Sequence, residues 1–211
     1  MRHAYPMMLD VTDRLVVIVG GGAVAARKAR GVLEAGGTRV RCVSPVFDAA
    51  MPEAVERVAA PYDTAHLDGA GLVFAATDLA AVNDAVVRDA RARGVLVNRA
   101  DFDDDQPGDF AVPAKLREGP VVVGVATGGS PALGVLVRDG LRERWDPRWS
   151  RMAEVMLGLR RSLIERLDNP QVRRDALRDL ATDEALDVLD AGGAEAVIQW
   201  LLARHPAQRN G

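Results

Sequence analysis

Gly20, Gly22 and Ala25 stand in the spacing G-x-G-x-x-A, directly after the apolar run Val16-Val17-Ile18-Val19 and at the start of a helical pattern. In a dinucleotide site each position has its own task. Gly20 permits a tight turn, Gly22 lets a pyrophosphate approach the backbone, and Ala25 lets the helix pack closely on the strand. The helix N-terminus offers free N–H groups and a favourable dipole to the phosphates. A glycine-rich connection that binds nothing is the plain alternative. Such sites usually carry an acid about 20 residues on, at the end of the second strand, for the ribose 2′-OH. Here that strand ends at Val43 and Ser44. Ser44 can hydrogen-bond a ribose hydroxyl, while Arg39 and Arg41 suit either a 2′-phosphate or a solvated strand face. The strand end alone leaves NAD and NADP both open.

These residues need elements to hold them. Residues 1–100 alternate strands and helices, which predicts a parallel sheet of the Rossmann type. The expected strands are 15–19, 38–43, a short one near 55–60, 72–77 and 95–98. Helices are expected at 23–35, around 47–57, and from an N-cap at Asp78 to Arg93. Ligands of such sheets bind outside the strand C-termini, so Thr77, Asn98 and Asp101 should face the same crevice as Gly20–Gly22. Asp101 is followed by Asp103, Asp104 and Asp105, so it could also belong to a solvated acidic loop. Beyond it, strand-like runs at 110–116 and 121–126 flank Gly119-Pro120, and an amphipathic helix covers 131–145. From Trp149 to His205 the period is helical, broken at Asn169-Pro170 and Gly192-Gly193. Three regions follow: a dinucleotide-binding domain (1–108), a small β dimerisation segment with its helix (109–145), and a C-terminal helical region (146–211). A two-stranded ribbon is marginal alone in water and calls for a partner surface.

Composition narrows the classes. The 211 residues are 48% hydrophobic but only 4% aromatic, so the core is built from Ala, Val and Leu. A net charge of −3 gives no nucleic-acid footprint. The single cysteine, Cys42, lies in an apolar strand and reads as a buried thiol. No signal-peptide pattern or membrane-length apolar run occurs, which predicts a cytoplasmic protein away from membranes. His3, His66 and His205 show no ligand spacing, so no metal centre is expected. Arg27 and Lys28 read as helix-surface charges.

Several separated segments together resemble one family, the siroheme-synthase-type precorrin-2 dehydrogenases. They are Tyr5-Pro6-Met7-Met8-Leu9-Asp10, the glycine fingerprint with Arg27-Lys28-Ala29-Arg30, and Ala75-Ala76-Thr77-Asp78 with Val82-Asn83. Gly94–Asp101, Asp109-Phe110-Ala111-Val112-Pro113-Ala114 and Thr127-Gly128-Gly129-Ser130-Pro131-Ala132-Leu133 complete the set. The resemblance covers about 1–145 and omits the methyltransferase half of the trifunctional siroheme synthase. It implies NAD-dependent oxidation of precorrin-2 to sirohydrochlorin, on the route to sirohaem or a cobalamin. In some members the same site also inserts ferrous iron. The family's aspartate maps onto Asp101, as a proton acceptor or a holder of a pyrrole N–H. Its nucleotide contacts map onto Ala23, Val24, Val43 and Ser44, joined by Thr77. The turn near the tetrapyrrole maps onto Thr127 and Gly128, with Asn98 on the substrate side. A homodimer is implied too.

The substrate's carboxylates call for a positive rim, for which Arg99, Lys115 and Arg117 are candidates. Three departures surround the active-site mouth. The loop after Asp101 is longer and more acidic, the Gly128-Gly129-Ser130-Pro131 turn is one residue short, and Arg99 stands where the family is usually apolar. They bear on metal insertion more than on dehydrogenation. The alternative reading is a non-catalytic module that senses NAD, which would need no catalytic carboxylate. A short-chain dehydrogenase fits poorly, since neither Tyr5 nor Tyr62 has a lysine four residues on.

Overall fold

A computed structural model describes residues 5–101, 107–166 and 169–206. The chain forms two compact units, Met1–Val112 and Pro113–Gly211.

In the first unit five parallel strands lie in the order β3-β2-β1-β4-β5. They are β1 (Leu15–Val19), β2 (Arg39–Val43), β3 (Glu56–Val58), β4 (Ala70–Ala75) and β5 (Val97–Arg99). All five residues of β1 are buried. A central strand covered on both faces has no place for polar residues, which is why it reads as an unbroken apolar run. Val16 and Ile18 pack with Ala25, Ala26 and Ala29 of α1 (Ala23–Glu34). Val17 and Val19 pack on the other face with Val86, Val87 and Ala90 of α2 (Ala80–Ala92). The chain leaves β1 towards β2 and β3, then returns to β4 on the other side. The strand order therefore reverses between β1 and β4, where a crevice opens at the strand C-termini.

Three local expectations are corrected. No helix forms over 47–57: Pro52 would sit in its interior, lacking an N–H and clashing with the preceding turn. The connection is instead a loop pinned by Asp48 N–H to the Gly21 carbonyl (2.8 Å) and by Arg57 to the Met51 carbonyl (2.9 Å). Asp78 is not the cap of α2; the cap position is Leu79, with no side-chain capping bond. The strand expected from 110 begins only at Ala114, after Pro113, which has no N–H for a ladder.

The second unit starts with an antiparallel ribbon, β6 (Ala114–Glu118) and β7 (Val121–Val125), turned at Gly119 with φ +58°. Leu116 is fully buried on one face of the ribbon, and α3 (Pro131–Glu143) packs there. Gly134 lies at this contact, where a Cβ would stand at ordinary packing distance, 3.5 Å, from the Val125 carbonyl. Three helices follow: α4 (Pro147–Arg166), α5 (Pro170–Asp179) and α6 (Asp183–Arg204). Their core gathers Met152, Leu163, Leu180, Leu189, Val197 and Leu201. Asn169 and Thr182 cap α5 and α6 through their side chains. The Gly192-Gly193 break is a kink inside α6, where Gly193 leaves the helix at φ 68°. Among the described residues, no helix is long and apolar enough to cross a membrane.

Candidate functional site

The glycine turn closes over its neighbours with almost no slack. Gly20 takes φ +136°, and a Cβ there would lie 2.3 Å from the Ala76 carbonyl oxygen. A Cβ on Gly21 would meet the Val46 carbonyl at 1.9 Å. Gly22 faces open space, with nothing within 4 Å of a Cβ. It is also the N-cap of α1 and supplies no side-chain cap, and no acid stands in the first turn. Ala23 and Val24 are exposed there. The uncapped N–H groups of α1 therefore face the open side of the turn, where a pyrophosphate fits. Ala25 is fully buried against the sheet, as its place in the spacing requires. Gly21 escaped the sequence reading because the spacing treats it as a free position.

At the neighbouring strand end, the Val43 carbonyl accepts from Gly20 N–H (2.9 Å) and the side chain is buried. Ser44 Oγ donates to the Val46 carbonyl at 2.8 Å. Arg41 turns away to Glu56, both contacts at 3.0 Å, and to the His66 carbonyl. Arg39 opens β2, at the far end of the strand from Ser44. Neither strand arginine thus stands at the ribose end. Burial pushes the Cys42 thiol up to about 12, so it stays an inert core group.

Thr77 ends the next strand over, and Asn83 of α2 clamps it. Asn83 Oδ1 accepts from Thr77 N–H (3.2 Å) and Oγ1–H (2.8 Å), and its Nδ2 donates back to the Thr77 carbonyl (3.0 Å). This buried amide orders the start of α2 in place of an N-cap. Asp101 follows β5. Arg99 Nε donates to its Oδ1 (2.8 Å) and Nη2 to its Oδ2 (3.1 Å), while Nη1 reaches Asp84 Oδ1 at 2.5 Å. Burial raises the Asp101 carboxyl, but hydrogen bonds from Arg99 and Asn83 outweigh it and hold the group below its ordinary value. The Arg99 side chain is 1% exposed. It is an internal counter-ion, and the expectation that it belongs to a positive rim is corrected.

Asn98 is also turned inward: Nδ2 donates to the Phe110 carbonyl (2.8 Å), and its buried Oδ1 has no partner among the described residues. In this placement it holds the chain after Asp109. Asp109 itself binds the edge of β5, through its N–H to the Val97 carbonyl (2.7 Å) and its Oδ2 to Val97 N–H (3.1 Å). Arg91 of α2 secures the same carboxylate at 2.9 Å. Phe110 packs edge-on against Phe74 at 5.4 Å, and Lys28 lies over the Phe74 ring at 5.6 Å. Lys28 is thus half-buried rather than a plain surface charge, and burial lowers its pKa to about 8. Asp103, Asp104, Asp105 and His3 lie outside the described residues. His66 Nδ1 accepts from Asp63 N–H (2.9 Å), and His205 Nε2 meets Asp179 at 2.8 Å, so each closes a local contact.

In the second unit, Thr127 Oγ1 donates to the Ser130 carbonyl at 2.5 Å, and Ser130 rather than Thr127 caps α3. Gly128 and Gly129 between them take φ 64° and 127° and face open space. Lys115 and Arg117 lie exposed on one face of β6.

Residues 7–114 match the family model described as "Putative NAD(P)-binding". The chain is 34% identical over 203 residues to the siroheme synthase of Photobacterium profundum, covering 93% of this chain and 43% of that protein. The siroheme synthase of Chromobacterium violaceum is 33% identical, with 98% and 45% covered. The chain therefore spans less than half the length of these curated relatives. In three dimensions it is similar to the solved structure of SirC, precorrin-2 dehydrogenase, with a TM-score of 0.74 and 24% identity over 95% of this chain and all of that one. That likeness shows a shared fold. The motif resemblance and the structural turn thus converge, and the chain belongs to this NAD(P)-binding family, as a relative of the siroheme synthases over nearly its whole length.

Proposed function

We propose that the protein is an NAD-dependent dehydrogenase that oxidises precorrin-2 to sirohydrochlorin, on the route to sirohaem or a cobalamin. The observation that carries this reading is a partly exposed carboxylate, Asp101, at the C-terminal end of β5 in the unit whose glycine turn leaves α1 uncapped. A sensor module needs the turn but not the carboxylate. When bound, NAD supplies the hydride acceptor. The N–H groups of Ala23 and Val24 hold its pyrophosphate, Val43 and Ser44 line the ribose end, and Thr77 borders the nicotinamide side. NAD is favoured over NADP because Arg41 is committed to Glu56 and Arg39 lies at the other end of β2. Asp101 faces the tetrapyrrole and accepts from its pyrrole N–H groups. The resemblance also assigns Thr127 and Gly128 to the tetrapyrrole, with Lys115 and Arg117 as candidates for its carboxylates. In some members of the family that the chain resembles, the same site also takes ferrous iron.

The working form is a cytoplasmic homodimer. Leu133, Leu136 and Leu141 stand exposed on α3, Leu136 at 68%, on a unit whose sheet has only two strands. An apolar helix face of that kind is the composition of an interface. The test is an anaerobic assay of precorrin-2 with NAD and, separately, NADP, following sirohydrochlorin by absorbance. Turnover with NAD supports the dehydrogenase. Tight NAD binding without turnover, in wild type and Asp101→Ala alike, assigns the chain to the sensor class instead.

A further inference from the structure

We propose that Arg99 locks Asp101 as a permanent anion that holds and stabilises the substrate without taking protons from it, and that this makes the chain a dehydrogenase without metal-inserting activity. Arg99 is a positioning residue, and the inference rests on the dehydrogenase reading above.

The geometry is a side-on fork, with each Asp101 oxygen receiving its own N–H from one guanidinium. A guanidinium cannot shed its proton in a protein. Buried at 1% exposure, it needs anions beside it, and among the described residues these include Asp101 from its own segment and Asp84 from α2. Protonating Asp101 would take one partner from a buried cation, which is costly. Among the described residues the groups around Asp101 are Arg99 of β5 with Asn83 and Asp84 of α2, and both donors among them favour the ionised form. The carboxylate stays partly open, at 31% exposure, with lone pairs left to accept from a ligand.

Such an anion suits oxidation. Oxidation removes a hydrogen with its electron pair from a substrate C–H bond, for which bound NAD would supply the acceptor, and positive charge develops on the ring. A fixed carboxylate at a pyrrole N–H stabilises that charge, and the N–H proton then passes to water. Product, reduced dinucleotide and one hydrated proton result. Metal insertion asks for the opposite property. Two pyrrole protons must leave as a divalent cation enters, so a nearby base must accept them. A carboxylate held far towards its ionised form is a weak base. Arg99 also halves the negative charge that Asp84 and Asp101 would otherwise present to the incoming cation.

The test compares wild type with Arg99→Leu and Arg99→Lys, the lysine keeping the charge but losing the fork. Thermal melts establish which variants fold. Sirohydrochlorin is mixed anaerobically with cobaltous ion, and insertion is compared with the protein-free rate. Wild type should not exceed that rate, and a folded variant should exceed it about tenfold. The acid limb of kcat/KM for precorrin-2 should move to higher pH in the variants. Carbon NMR titration of the Asp101 carboxyl reads the lock without any turnover. A wild-type value below the ordinary aspartate range, rising in Arg99→Lys, supports it. Metal insertion by wild type, no gain in folded variants, or an Asp101 that titrates ordinarily overturns the proposal. Failure of the dehydrogenase reading shows separately, as absent precorrin-2 oxidation while the NMR titration still reports on Arg99.

Discussion

The two units solve the problem of burying apolar surface in different ways. In the first, β1 is covered on both faces, and its central side chains are within 1% of complete burial. In the second, a two-stranded ribbon carries a helix that leaves Leu133, Leu136 and Leu141 in the open. A five-stranded sheet with helices on both sides closes its own core. The helices α4 to α6 of the second unit close a core of their own. The ribbon with α3 has too few layers to do so, which supports the proposed partner surface there. Rigid placement of phosphates and a carboxylate therefore falls to the first unit, and the proposed association to the second.

The sharpest way to break that division is Gly21→Ala. Its Cβ meets a backbone carbonyl at 1.9 Å, which no rotamer relieves, so the turn must shift. NAD affinity by calorimetry should fall on the order of a hundredfold, about 2.7 kcal/mol, with the helices of the second unit intact by circular dichroism. Leu136→Asp probes the other side. It should convert a dimer to monomer in sedimentation at micromolar concentration, weakening association by at least about tenfold, while NAD affinity is unchanged. A dimer that survives this change places the interface elsewhere. Asn83→Ala should destabilise the first unit by about 2 kcal/mol, since Thr77 N–H and C=O lose buried partners. Urea unfolding measures it, and a loss below about 0.5 kcal/mol would show that the amide clamp is dispensable.

The smallest effect is the pH dependence of Asp101. Its folded pKa is depressed, so its contribution to stability is present above the ordinary aspartate value. That contribution is lost as pH falls through the lower folded value. Comparing wild type with Asp101→Asn in urea should give a difference that shrinks as pH is lowered through that range. A difference that grows on acidification contradicts the ion pair with Arg99.

The order of elements and the glycine turn were legible because they depend on local sequence. A β-branched run, a glycine spacing and alanines at helical period act through contacts a few residues apart. Asp101 was legible as a candidate from its motif and its place at a strand end. Its charge partner was misread, because Arg99 and an exposed rim arginine look alike in a string. The loop after β2 was misread for a nearer reason: helical period was weighed above Pro52. The D-F segment was recognised, but not its task of lining the edge of β5.

The sequence by itself determined a parallel sheet, a dinucleotide turn with an uncapped helix, and a two-stranded ribbon followed by a helical region. Tertiary structure alone decided what each polar group faces. Asn83 meets Thr77 and Arg99 meets both Asp84 and Asp101 only because α2 packs across the ends of β4 and β5. Burial then turns a surface-like arginine into a fixed counter-ion, since a desolvated guanidinium must keep its acids.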